Sequence, residues 1–312
     1  VESCDTYYYT LARDMGVDLM HDQMKPLGFG QITGIDILGE SRGVLPSTEW
    51  KRNTYKKPEQ QRWYSGETIS LGIGQGYNNF TMLQIAHAMG TVANNGLKMK
   101  PHLVREVVDV ETKASTLVAK EPVGQLALLS ENLEVIKKGM VGVNIEGTSA
   151  TSFIGAQYVS AGKTGTAQVF TVKQNEKYNA STIDERMRDH ALFVAFAPAD
   201  DPKVALAMVV ENAGFGAQNA APIARRVFDF VIMGQYPSQE DIEAVQKGQA
   251  TRPIGKPRAV ASVPWPPKAA ELAVEEPIAA ASAATKAASA AAKPASAASP
   301  ATAQKSAASG TR

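Results

Sequence analysis

A single cysteine, Cys4, stands in a chain of 312 residues, so no disulfide can close within it and cysteine usage does not report the redox compartment. An excess of charge is missing too. The 32 basic residues meet 31 acidic ones, a formal net charge of +1, which argues against the basic stripe of a nucleic-acid binder. No uninterrupted apolar run is long enough to cross a bilayer, and no stretch of these residues reads as a signal peptide. The first residue is Val1 rather than Met. The expectation is a fragment whose upstream sequence, with any membrane anchor, lies outside these residues. No internal repeat is found. Aromatic residues stop at Trp265, after which Ala, Ser, Pro and Lys dominate to Arg312. Such a composition buries too little apolar surface to offset its ordering entropy. Residues 238–312 are therefore expected to form a disordered tail behind one domain over residues 1–237.

What is present is an apolar fraction of 44%, enough for a real core in a chain of this length. Thr6–Met15 reads as a helix stopped by Gly16, and Asp18–Leu27 as a second one closed by Gly28 and Gly30. Residues 31–68 are rich in Gly, Pro and charge and read as extended loop. Thr81 is placed to cap a helix over Met82–Ala93, with Leu83, Ala86, Met89 and Gly90 on one face and Asn95-Gly96 as a left-handed stop. Ser130 is placed to cap another, running to about Val141. The period then changes. Tyr158–Phe170, Ala191–Phe196 and Val204–Val210 read as strands, the last two joined through Ala199-Asp200-Asp201-Pro202 into an antiparallel hairpin. Ala220–Met233 follows as a helix with Pro222 in its first turn. That order predicts an α+β fold with an antiparallel sheet.

Two short motifs carry chemistry. Lys163-Thr164-Gly165-Thr166 falls in a predicted strand beside Gly162. Glycine inside a strand often marks close approach by a ligand. The lysine offers charge to an anionic group, the threonines offer hydroxyls, and exposed strand N–H groups can polarise a carbonyl. Read plainly, the same residues are an edge strand with a solvated lysine. Ser3-Cys4-Asp5 stands at a helix start. There it is either an N-cap or a hydroxyl that relays a proton beside a nucleophile. Together the motifs mean more. Ser-x-x-Lys, Ser-Asp-Asn and Lys-Thr-Gly form the set shared by serine β-lactamases and penicillin-binding proteins. The third is here, with a variant of the second ahead of it.

The resemblance extends beyond the motifs. Val1–Asp5 with Thr6-Tyr7-Tyr8, Gly72-Ile73-Gly74-Gln75-Gly76-Tyr77, Gly162–Phe170, Tyr178-Asn179-Ala180, and Arg188-Asp189-His190 through Phe196-Ala197-Pro198 are similar to the penicillin-binding protein transpeptidase family. The branch they resemble is the monofunctional one of Gram-negative cell elongation. The similarity covers residues 1 to about 235. It implies the C-terminal part of a serine β-lactamase-like transpeptidase domain, acylated on a serine upstream of this chain. Ser3 would shuttle a proton, with Asp5 at the third position of its motif, where this branch carries Asp in place of the usual Asn. Lys163 would anchor the substrate carboxylate region, with hydrogen bonds from Thr164 and Thr166 along the Gly165 strand. The Thr166 N–H would be half of an oxyanion hole. Implied partners are peptidoglycan stem peptides, β-lactams, a membrane glycosyltransferase and the scaffold of the elongation machinery, at the inner membrane with the catalytic domain in the periplasm. The chemistry needs no cofactor. Cys4 would be one ligand of a structural zinc completed by residues upstream, or else a buried thiol. Rival functions are a D,D-carboxypeptidase, a serine β-lactamase, and a non-catalytic β-lactam sensor or scaffold.

Other motifs argue against themselves. Ser160-Ala161-Gly162-Lys163 matches Ser-x-x-Lys. On a strand, however, that spacing puts the two side chains on opposite faces. The Gly72–Gly76 glycines fit no dinucleotide fingerprint; the resemblance implies a turn that packs beneath the active site in a structural role. His21, His87, His102 and His190 are scattered, and spacing supports no catalytic triad through His190.

Overall fold

Glycine stops and apolar spacing place the first helices close to expectation. Helix α1 (Asp5–Met15) ends at Gly16, and α2 (Val17–Met24) continues through a 3-10 turn, Lys25–Leu27, to Gly28. In the computed structural model residues 1–170, 179, 182–249 and 251–263 are described. The chain forms two units, Val1–Ser262 and Val263–Arg312. Every element described belongs to the first, and only Val263 of the second is among the described residues.

The stretch expected as loop, residues 31–68, instead holds α3 (Thr48–Thr54), α4 (Pro58–Gln61) and the start of α5 (Ser65–Leu71). These short helices rest on local caps and one charged core contact rather than an apolar stripe. Ser47 Oγ accepts from Trp50 N at 2.9 Å. Lys51 is buried, its ammonium paired with Glu67 and 5.4 Å from the ring centres of Trp63, Tyr64 and Tyr77. A lysine in a core position hides the helical period.

Helix α6 (Met82–Ala93) has the capping box its sequence suggests: Gln84 N donates to Thr81 Oγ1 at 3.1 Å and Thr81 N to Gln84 Oε1 at 2.9 Å. Asn95 (φ 54°) and Gly96 (φ 86°) then leave it left-handed. Strands β1 (Leu97–Met99), β2 (Glu106–Val108), β3 (Ser115–Leu117) and β4 (Pro122–Gln125) pair as the antiparallel ribbons β1–β4 and β2–β3. The sequence reading missed all four, because β2, β3 and β4 are exposed along their whole length and carry no burial alternation. Helix α7 (Ser130–Ile145) runs past Val141, and Leu129, not Ser130, takes the N-cap position.

After α8 (Ala150–Phe153) comes the sheet β5 (Ala161–Ala167), β6 (His190–Ala197) and β7 (Val204–Val210), antiparallel in the order β5-β6-β7. Period-2 alternation divides its faces. Ala191, Phe193, Ala195 and Ala197 pack on Phe153 and on Ala224 and Phe228 of α10 (Ala221–Met233), which follows α9 (Gly216–Asn219). Phe196 and Ala161, on the opposite face, meet Ala93 and Met89 of α6. The sheet is thus a layer between helices, the α+β arrangement expected. Strand β5 is shorter than Tyr158–Phe170, because Tyr158 turns away to donate to Asp229 Oδ1 of α10 at 2.8 Å.

The tail boundary at residue 238 is corrected. Strand β8 (Gln235–Tyr236) pairs with β9 (Arg258–Ala259), and α11 (Gln239–Gln246) lies between them. Asp241 of α11 is fully buried against Arg226. One buried ion pair orders a segment whose composition reads as tail. Residues 264–312 of the expected tail lie outside the described residues.

Candidate active site

Strand β5 lies at one edge of the three-stranded sheet among the described residues. Its register sets Lys163 opposite Val194 and Thr164 opposite Phe193. Lys163 therefore lies on the Phe196 face, toward the helices. There its Nζ donates to Ser3 Oγ at 2.8 Å and to Thr164 O at 2.9 Å. The two motifs, 160 residues apart in sequence, meet through this contact.

Ser3 is held by the chain ahead of α1 rather than by a cap. Cys4 occupies the N-cap position and no side chain caps the helix, so the N-cap reading of Ser3-Cys4-Asp5 is set aside. Val1 lies across the end of α7, where Gly147 makes room: a Cβ there would come within 2.5 Å of Val1 O. Glycine at that close approach lets the segment leading to Ser3 settle on the end of α7.

Burial pushes the Lys163 pKa below its ordinary value, while Glu2 and then Asp5 pull it upward. Asp5 opens α1 and is exposed, so its part at Lys163 is a field rather than a contact. Glu2 lies within the Val1–Asp5 stretch but has no role in the sequence reading.

Thr164 and Thr166 sit where expected and bring partners that were not. Thr148 Oγ1 and Thr164 Oγ1 share a hydrogen bond of 2.8 Å. Gln75 Nε2 donates to Thr166 O at 3.1 Å. Residues of an antiparallel pair alternate between those that bond the neighbour through both N–H and C=O and those that do not. The carbonyls of Thr164 and Thr166 take partners off the ladder, so their N–H groups face the same outer edge. Gly165 alternates with them and faces the same side as Lys163. Gly162 has a different use from the one expected. A Cβ there would lie 2.6 Å from Phe193 Cζ, so this glycine admits a core ring rather than a ligand. The 72–77 stretch offered the only sequence hint of Gln75, as a glycine-rich turn of structural role. Nothing marked Thr148.

Ser160 is buried and accepts from Asn144 Nδ2 at 2.8 Å, and Ser149 Oγ donates to Asn144 Oδ1 at 2.6 Å. Its hydroxyl belongs to an internal network. Ser160→Ala should cost about 1–3 kcal/mol of stability, because the Asn144 donor loses its partner, a loss that thermal melting reads. His190 Nδ1 accepts from Asn212 N at 2.9 Å, a structural contact rather than one to a serine. Asn212 Nδ2 also donates to the carbonyls of Arg186 and Arg188. Of Tyr178-Asn179-Ala180 only Asn179 is described, and the others lie outside the described residues. Cys4 is exposed rather than a buried thiol. Among the described residues no group of three or more His, Cys, Asp and Glu could hold a metal, so these residues do not by themselves make a zinc site.

A lysine on an edge strand, hydrogen-bonded to a serine ahead of a helix, with outward strand amides beside it, brings the two short motifs of the sequence to one place. The penicillin binding protein transpeptidase domain matches residues 1–229, and the chain belongs to that family. Peptidoglycan D,D-transpeptidase MrdA of Haemophilus influenzae is 41% identical over 244 residues, which is 77% of this chain and 36% of that protein. MrdA of Escherichia coli K12 is 42% identical over 236 residues, 75% of this chain and 36% of that protein. Among solved structures, Pseudomonas aeruginosa PBP2 in complex with WCK 5153 superposes with a TM-score of 0.59 at 38% identity, covering 72% of this chain and 46% of that one. Helicobacter pylori PBP2 in complex with MreC gives 0.58 at 26% identity, covering 74% of this chain and 38% of that one. This chain spans 36% of the length of those curated relatives.

Proposed function

We propose that this chain is the C-terminal portion of the catalytic domain of a peptidoglycan D,D-transpeptidase of cell-wall elongation. The observation that carries the reading is the 2.8 Å hydrogen bond from Lys163 Nζ to Ser3 Oγ, which joins a charge and a proton-relaying hydroxyl at one strand edge. The nucleophile is a serine on polypeptide outside these residues. Its Oγ bonds to the penultimate D-Ala carbonyl carbon as the bond to the terminal D-Ala nitrogen breaks, and its proton passes through Ser3 to that leaving amine. The amine of a neighbouring stem peptide then attacks the ester and returns the serine. Water in its place gives carboxypeptidase activity. Lys163 supplies positive charge for the substrate carboxylate region, Thr164 and Thr166 supply hydrogen bonds, and the Thr166 N–H supports the developing oxyanion. β-Lactams enter as mimics of the donor and remain as the acyl-enzyme.

The intact protein is read as anchored in the inner membrane with this domain in the periplasm. No helix among the described residues is long and apolar enough to cross a membrane, so the anchor lies elsewhere in that reading. Its partners are the membrane glycosyltransferase and the scaffold of the elongation machinery. A related PBP2 is known in complex with MreC, and another relative belongs to a peptidoglycan synthase complex. A structural zinc would take Cys4 as the one thiolate this chain offers and would need its other ligands from outside. The test is covalent labelling with a fluorescent penicillin. The full-length protein should label and the 312-residue chain should not. An unlabelled full-length protein, or a labelled fragment, would overturn this reading.

A further inference from the structure

Gln75 joins the helical layer to the outer edge of β5. Its own N–H donates to Ser70 O in α5 at 3.0 Å, and Gly74 N to Leu71 O at 2.9 Å. The Asn78 side chain donates to Leu71 O at 3.3 Å and Tyr77 O–H to Glu67 Oε1 at 2.9 Å. Glu67 is itself held by the buried Lys51. The backbone of this turn is thus fixed from several sides before its side chain reaches out. At the far end Gln75 Nε2 meets Thr166 O at 3.1 Å.

That carbonyl is not a neutral place to anchor a loop. Thr166 C=O and N–H leave the same edge of β5. The negative end of the C=O dipole therefore lies beside the space into which the N–H would donate. Where negative charge develops on a reacting oxygen, an unpaired strand carbonyl opposes it and a paired one opposes it less. The amide of Gln75 gives that oxygen a donor and fixes the plane of the strand edge, so no reorganisation is needed at the moment of reaction.

We infer that Gln75 is a positioning residue for acylation, acting through Thr166 rather than on the substrate; this rests on the transpeptidase reading above. The consequence is a rate effect separable from a stability effect. In the full-length protein, Gln75→Ala should lower the acylation rate constant for a fluorescent penicillin about three- to ten-fold, the size of one hydrogen bond, with little change in melting temperature or in the dissociation constant of the initial complex.

Gln75→Glu supplies the sharper readout. As a carboxylate it cannot donate and sets negative charge against Thr166 O, so at pH 8 it should fall below Gln75→Ala. Protonation restores a donor, so its rate relative to wild type should climb as pH is lowered toward 5, while the ratio for Gln75→Ala stays flat. Dividing by the wild-type rate at each pH removes whatever titrates in both proteins alike. Label on the wild type with both variants at the wild-type rate at every pH would overturn the role of Gln75 alone. A fall in melting temperature that tracks the loss of rate, with no recovery of Gln75→Glu at low pH, would reduce Gln75 to a loop tie and overturn it too. An unlabelled wild type would overturn this inference together with the transpeptidase reading.

Discussion

Lys163→Met in the full-length protein should lower the rate of acylation by a β-lactam about 10²–10³-fold, the usual cost of removing one preorganised electrostatic group, while melting no earlier than wild type. The two halves of that result come from the same geometry. Lys163 Nζ is half-buried and bonded to Ser3 Oγ and Thr164 O, so its loss removes both the charge at the site and the partner that orients Ser3. Burial also holds its pKa below the ordinary lysine value. The sign follows. Between the lowered folded pKa and the ordinary unfolded one, the unfolded chain binds more protons than the folded chain, so stability rises with pH through that window. At neutral pH, below both, the buried ammonium is a cost that methionine does not carry. On the proposed reading, the protein keeps at its site a charge that folding alone would discard. The alkaline limb of the wild-type acylation profile should accordingly fall below the ordinary lysine value of about 10.4. Stopped-flow acylation across pH, with differential scanning calorimetry of both proteins, reads every part. Wild-type rates in Lys163→Met would remove Lys163 from the mechanism.

The parts of this domain that were legible in the sequence are those where one local rule decides the outcome. Helix α6 has its Thr81–Gln84 box and its Asn95-Gly96 stop, and the hairpin of β6 and β7 has alternation and a short polar turn. The chemistry-bearing strand was legible because Lys-Thr-Gly is a motif and its company is specific. What escaped depends on contacts between distant residues. Lys51 is a core residue only because Glu67 and three aromatic rings converge on it. The ribbons of β1 to β4 are held by pairing rather than burial. Gln75 and Thr148 matter for what they touch on β5, and nothing in their own neighbourhood of sequence says so. For Ser3 a local rule alone left a helix cap open beside the relay that the resemblance implies, and a partner 160 residues away meets its hydroxyl.

The same dependence on a distant partner makes Asp241 the other residue whose loss should be large. Its carboxylate is fully buried and accepts from Arg226 Nε at 2.8 Å and Nη2 at 2.6 Å, and from Ile254 N at 3.1 Å. Those contacts tie α11 and the approach to β9 onto α10. Asp241→Ala leaves the Arg226 guanidinium nearly buried without a counter-charge. Breaking a buried pair from one side costs about 3–5 kcal/mol, a large share of the stability of a typical domain. The pair itself is worth far less than that, because desolvation offsets most of its attraction. The double replacement Arg226→Met with Asp241→Leu should therefore recover most of the loss, and urea unfolding of the three variants measures the difference. Asp241→Ala within about 1 kcal/mol of wild type, the worth of a surface pair, would show that the carboxylate does not anchor this segment. The hydrogen-bond partners of Arg226 and Asp241 are Pro222, Ile254, Ser238 and one another rather than any residue of β5, so the molecules of Asp241→Ala that remain folded should acylate at the wild-type rate. Stability and chemistry separate here, whereas at Lys163 they oppose one another.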